Sequence, residues 1–65
     1  MRKMSLKAVR IDMNMSRAFV AEKLGVSVST VKNWETGKTF PKQPMIEALC
    51  TLYNVSYDYI DFSAK

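Results

Sequence analysis

The chain has no histidine and a single cysteine, Cys50, among its 65 residues, and only two glycines and two prolines. One cysteine forms no intramolecular disulfide, and without histidine the usual zinc ligand sets cannot be assembled. Histidine-based acid/base and nucleophilic catalysis are excluded for the same reason. Paired carboxylates remain conceivable, but the six acidic residues are scattered, so enzyme activity, a metal and a cofactor are not expected. Long apolar runs are also missing, and no segment is able to span a bilayer. The N-terminal MRKMSLKAVRID is basic but lacks the continuous apolar stretch of a signal peptide, which points to a cytoplasmic protein. No stretch is long enough to be a separate ligand-binding or cleavage domain, and no small-molecule ligand is expected.

What is present is ordinary globular composition, 48% hydrophobic and 25% charged, not that of a disordered tail. The length allows one domain, 1–65, of modest core and marginal stability. Charge is uneven. Residues 1–44 hold nine Lys and Arg against three acids, whereas residues 45–65 hold one Lys against three acids. The basic part suits a polyanionic partner, although charge alone also fits a solvated surface.

Leu6, Val9, Arg10 and Met13 recur at helical spacing behind Ser5, an N-cap candidate, which predicts a first helix from about Ser5 to Met13, closed by a left-handed Asn14. Ser16 caps a second helix that runs to Leu24 and stops at Gly25. Ser27 caps a third that runs to about Thr36 and stops at Gly37. Residues 37–41 form a loop. Pro44 suits the first turn of a fourth helix with Ile46, Leu49, Cys50 and Tyr53 facing inward and Asn54 at its end. Ser56 is read as the cap of a short fifth helix, Tyr57 to about Phe62, after which Ser63, Ala64 and Lys65 fray. Period-2 alternation is confined to residues 26–29, so strands are not expected. The fold class is all-α, a compact five-helix bundle.

Residues 17–36, RAFVAEKLGVSVSTVKNWET, are the most informative stretch. They read as two helices joined at Leu24-Gly25-Val26-Ser27, with small Ala21 at their crossing. Val20, Leu24, Val31 and Trp34 face one core, and Ser29, Lys32, Asn33 and Thr36 form a polar outer face. Two helices crossing sharply over such a turn push the second into the major groove of DNA.

Together these residues resemble the Cro/CI-type helix-turn-helix family, the xenobiotic-response-element-like regulators of bacteria and their phages. The likeness covers about Leu6 to Ile60 through Ser16, VAEKLGVS at 20–27, STVKNWE at 29–35, Gly37-Lys38, Pro41 and LYNVSYDYI at 52–60. The resemblance implies a lambda-repressor-like five-helix domain whose third helix, about 28–36, is the recognition helix. It implies base contacts by Val28, Ser29 and Asn33, with Lys32 on the same flank. It also implies phosphate contacts by Arg17, Lys38, Thr39 and Lys42, and a buried ion pair between Arg10 and Glu35. Departures from the family pattern are the apolar Val28, suited to a thymine methyl; Arg17 in place of Gln; Lys42 and Gln43 where a capping residue and an apolar one are common; and Ala18-Phe19 in place of an acidic pair.

Several residues admit a plainer reading. Trp34, three positions from Val31, fits the core better than a stack on a base. Cys50 fits a small buried apolar residue better than a redox sensor. Lys32 stands between base readout, a phosphate contact and a solvated side chain. Arg17 at a helix start is disfavoured by the dipole unless a phosphate lies near. Of the crowded Tyr57, Tyr59, Ile60 and Phe62, some complete the core, and Tyr57, Tyr59 and Phe62 are candidates for a dimer surface. The function expected is sequence-specific binding of double-stranded DNA as a small repressor of Cro or prophage-regulator type, a homodimer on a palindromic operator. The alternatives are a protein-interaction or antitoxin-like adaptor and a non-specific architectural DNA binder.

Overall fold

Serine hydroxyls start three of the helices. In the computed structural model, which describes residues 3–62, Ser5 Oγ accepts the Ala8 N–H at 3.1 Å, Ser16 Oγ that of Phe19 at 3.0 Å and Ser27 Oγ that of Thr30 at 3.1 Å. Each satisfies one of the donors that a helix start leaves open and contributes about 1 kcal/mol. The helices so begun are α1 (Leu6–Asp12), α2 (Arg17–Leu24) and α3 (Val28–Thr36). The fourth, α4 (Gln43–Tyr53), starts at Lys42 with no side-chain cap and has Pro44 in its first turn. There Gln43 Nε2 donates to Glu47 Oε2 one turn on, at 3.3 Å.

The four helices close alike, on a left-handed residue: Asn14 (φ 58°), Gly25 (φ 71°), Gly37 (φ 81°) and Asn54 (φ 56°). The next N–H then reaches back over the last turn, Met15 to Arg10 O, Val26 to Ala21 O, Lys38 to Asn33 O and Val55 to Cys50 O, at 2.9–3.1 Å. Met15, Val26 and Val55 pack their side chains against the core at the same points, the apolar contact that accompanies this closure. A Cβ at Gly25 would meet nothing within 4 Å, so glycine serves there for its φ alone.

The core takes Leu6 and Val9 from α1, Val20 and Ala21 from α2, Val31 and Trp34 from α3, and Ile46, Leu49 and Tyr53 from α4, with Ile60 and Phe62 closing it. Helices α2 and α3 are the most extensively packed pair. Three expected inward positions are only partly so. Met13 is 39% exposed, because the chain turns away at Asn14, and Leu24 and Cys50 are partly buried at the edge of the core.

The expected fifth helix is not a helix. Tyr57–Tyr59 makes one 3₁₀ turn, and Ile60–Asp61 is a two-residue strand, β2, parallel to β1 (Met4–Ser5), with Met4 opposite Ile60 and Ser5 opposite Asp61. Ser56 gives no side-chain cap there, and six residues are too few to sustain a helix without one. Extended chain also buries alternate residues. Ile60 (2% exposed) and Phe62 (8%) both enter the core, with the less buried Asp61 between them. Among the described residues the architecture is therefore mostly helical, as expected, with four α-helices tied by a short parallel ladder where a fifth helix was expected. The expected fraying of Ser63 to Lys65 lies outside the described residues.

Candidate nucleic-acid interface

The α2–α3 turn positions α3. Gly25 ends α2, Ser27 opens α3, and Ser27 Oγ also bonds Thr30 Oγ1 at 2.9 Å, so the first turn of α3 is held twice. Along α3 the residues divide by helical period. Val31, Trp34 and Glu35 are buried. Val28 (47% exposed), Ser29, Lys32 and Thr36 face solvent, and Asn33 is partly buried at the border. Positions 28, 29, 32, 33 and 36 follow helical spacing and make one continuous stripe. Trp34 is 6% exposed within the core and is not placed to stack on a base.

The chain leaves α3 pinned to it. Lys38 and Thr39 N–H both donate to Asn33 O, at 2.9 and 3.3 Å. Lys38, Thr39 and Lys42 are exposed on the loop that follows. These ammonium and hydroxyl groups follow the stripe along the chain, on a loop tied to α3 through Asn33 O.

Behind the stripe, the buried Glu35 carboxylate holds two arginines. Arg10 Nε donates to Oε2 at 2.6 Å and Arg10 Nη2 to Oε1 at 3.4 Å. Arg10 Nη1 donates to Met15 O at 2.8 Å, just before the Ser16 cap of α2. Arg17 Nε donates to Glu35 Oε1 at 3.0 Å. The side chains of Arg10 and Glu35 are 11% and 2% exposed, that of Arg17 30%. One carboxylate thus joins α1, α3, the α1–α2 connection and the first residue of α2. The resemblance implies a phosphate contact for Arg17, and its bond to Glu35 is a further partner that the sequence analysis does not name. The available signal was the substitution itself, since a guanidinium carries a donor where the family's usual Gln has a shorter amide. Tyr53 lies close enough to feel this cluster. Burial, then the Glu35 charge, push its phenol up to about 12, while Arg10 acts in the opposite sense.

Cys50 is partly buried, and burial pushes its thiol above the ordinary value of 9.0. That disfavours the reactive thiolate a redox sensor needs. Phe19 is 41% exposed, with Lys23 Nζ 5.4 Å from its ring centroid in a cation–π contact.

The candidate dimer residues separate. Tyr57 is 54% exposed and Tyr59 is partly buried against the core. Phe62 is 8% exposed and does not belong to a surface, because the extended chain after Tyr59 turns it inward. Tyr57 stacks on it at 5.5 Å, and Phe40 meets it edge-on at 6.0 Å. Phe40, 60% exposed, joins this corner from the α3–α4 loop.

Among the described residues no helix is long and apolar enough to cross a membrane. A family model described as helix-turn-helix matches residues 6–60. No curated protein and no solved structure matches the chain.

Proposed function

The chain belongs to the Cro/CI-type helix-turn-helix family of DNA-binding regulatory domains, and from that premise we propose that it is a sequence-specific repressor of Cro or prophage-regulator type, working in the cytoplasm. The observation that carries this reading is the division of α3. Its buried residues fix it to the core, and the stripe of Val28, Ser29, Lys32, Asn33 and Thr36 leaves a continuous mixed surface of groove-reading chemistry. In the major groove the Asn33 amide matches adenine N6 and N7, Ser29 bonds a base edge, and Val28 touches a thymine methyl. Lys32 extends the same flank. Arg17, Lys38, Thr39 and Lys42 hold phosphates on either side and fix the register.

One such helix reads only a few base pairs. Two copies on a palindrome, with recognition helices about 34 Å apart, supply the missing specificity. The exposed rings of Tyr57 and Phe40, with the edge of Tyr59, are the surface through which the copies meet. That surface is small, so the free protein is mostly monomeric and dimerises on DNA. Repression follows by occlusion of a promoter.

Selection of bound duplexes from a random-sequence pool tests this reading. A recovered consensus with two-fold symmetry supports it. Binding without enrichment overturns it in favour of an architectural DNA binder, and absence of binding overturns it in favour of an adaptor that uses the fold to hold a protein.

A further inference from the structure

The cluster behind α3 sets two guanidinium cations on one carboxylate, so it carries an excess positive charge at its outer member, Arg17. Resting on the DNA-binding reading above, we propose that Glu35 is a positioning residue for DNA. It grips Arg17 by Nε and so presents the Nη1/Nη2 edge of the guanidinium, already aligned, to a backbone phosphate.

The geometry supplies each part. Glu35 is a fixed anchor: its side chain is 2% exposed, and its two oxygens are engaged by Arg10 from α1. Arg17 is held at one edge only. Its Nε donates to Glu35 Oε1 at 3.0 Å, and among the described residues neither Nη group has a hydrogen-bond partner. With 30% of its side chain exposed, Arg17 bridges a buried acceptor and solvent. A guanidinium is planar, so fixing Nε fixes the direction of the remaining fork, which matches two phosphate oxygens. Rotamer freedom is spent on folding and is not lost again on binding. A phosphate also supplies the anion that the cluster lacks.

Glu35 does more than hold one side chain. Through Arg10 it also fixes the Met15 carbonyl ahead of α2, and it is itself a residue of α3. The phosphate contact on α2 and the stripe on α3 therefore hang from one carboxylate. The opposite behaviour, in which a phosphate pulls Arg17 away from Glu35, would leave the two contacts unlinked.

The test uses the full chain and a duplex of random sequence at low salt, since a backbone contact needs no operator. In proton–nitrogen spectra of the free protein, the Arg17 Nε–H is expected to exchange slowly with solvent and to persist when the duplex is added. An Nε–H that exchanges as fast as a solvated guanidinium, or that vanishes on binding, overturns the proposal. Arg17→Lys keeps the charge and the helix but removes the fork, so it is expected to bind about tenfold more weakly, the loss of one charge-assisted hydrogen bond. Its salt dependence should be unchanged, because the number of cations is unchanged. Equal binding by Arg17→Lys and the parent overturns the role of the fork while leaving DNA binding intact. If the parent itself binds no duplex, the DNA-binding reading fails and the positioning role falls with it.

Discussion

Ser5, Ser16 and Ser27 share an extended backbone with Ser56, at φ −70°, −86° and −80° against −79° and ψ near 160° in all four. Behind the first three lies a helix; behind Ser56 lies a single 3₁₀ turn and a strand. The difference shows what a cap decides. It fixes the conformation of one residue and offers one acceptor, and the segment behind it must still bury a helical stripe. Residues 17–24 and 28–36 do so against each other and against α1 and α4. Residues 57–62 have their buried side chains at Ile60 and Phe62, two apart, and find partners far away in sequence, at Met4 and Phe40. The region from α1 to α3 is fastened by local caps and one buried carboxylate, the C-terminal region by long-range pairing of strand and rings.

Removing the carboxylate breaks the first region. Glu35→Ala leaves Arg10 buried and Arg17 half-covered with no counter-charge, and a loss of about 3–5 kcal/mol is expected. For a domain of this size that is much of its total stability. Thermal unfolding checks it, and a midpoint within a few degrees of the parent would show that the pair is exposed or absent in solution.

Phe62→Ala attacks the second region. A loss of about 3 kcal/mol is expected, at the lower end for a buried ring because Tyr57 and Phe40 can partly collapse into the space. Amide exchange at Ile60 should accelerate more than in α2 or α3. Uniform acceleration throughout would mean that the ladder and the helices are one cooperative unit.

The smallest effect isolates a single backbone angle. Gly25→Ala should cost about 1 kcal/mol, since the new Cβ finds open space and only the left-handed φ is strained. Gly25→Asn should recover much of that, as Asn14 and Asn54 already occupy the same conformation. Denaturant unfolding of both variants settles whether the turn is held by geometry or by contacts.

The same division explains what was legible in the sequence. Helix starts at Ser5, Ser16 and Ser27, and ends at Asn14, Gly25, Gly37 and Asn54, are local events with local signatures. So is the stripe at 28, 29, 32, 33 and 36, because helical period orders residues without reference to anything distant. The strand at Ile60–Asp61 is not local. Its partner, Met4–Ser5, lies at the other end of the chain, and Ser5 was already read as a cap. The inward turn of Phe62 follows from that strand, and so does the edge-on contact that Phe40 makes with it. The bond of Arg17 to Glu35 is not legible in the sequence for a related reason: it joins residues eighteen apart, across two helices, and no spacing rule connects them.

The outer face of α3 is where function is assigned, and Asn33 tests it most directly. Its backbone carbonyl anchors the following loop, so Asn33→Ala keeps that anchor and removes only the amide. The measurement is a binding titration of Asn33→Ala and the parent on the selected duplex and on a random one. Base readout by α3 requires a loss of about 1–3 kcal/mol on the selected duplex, with little change on the random one. Equal weakening on both would mean that Asn33 reads no base and that this face holds DNA without regard to sequence.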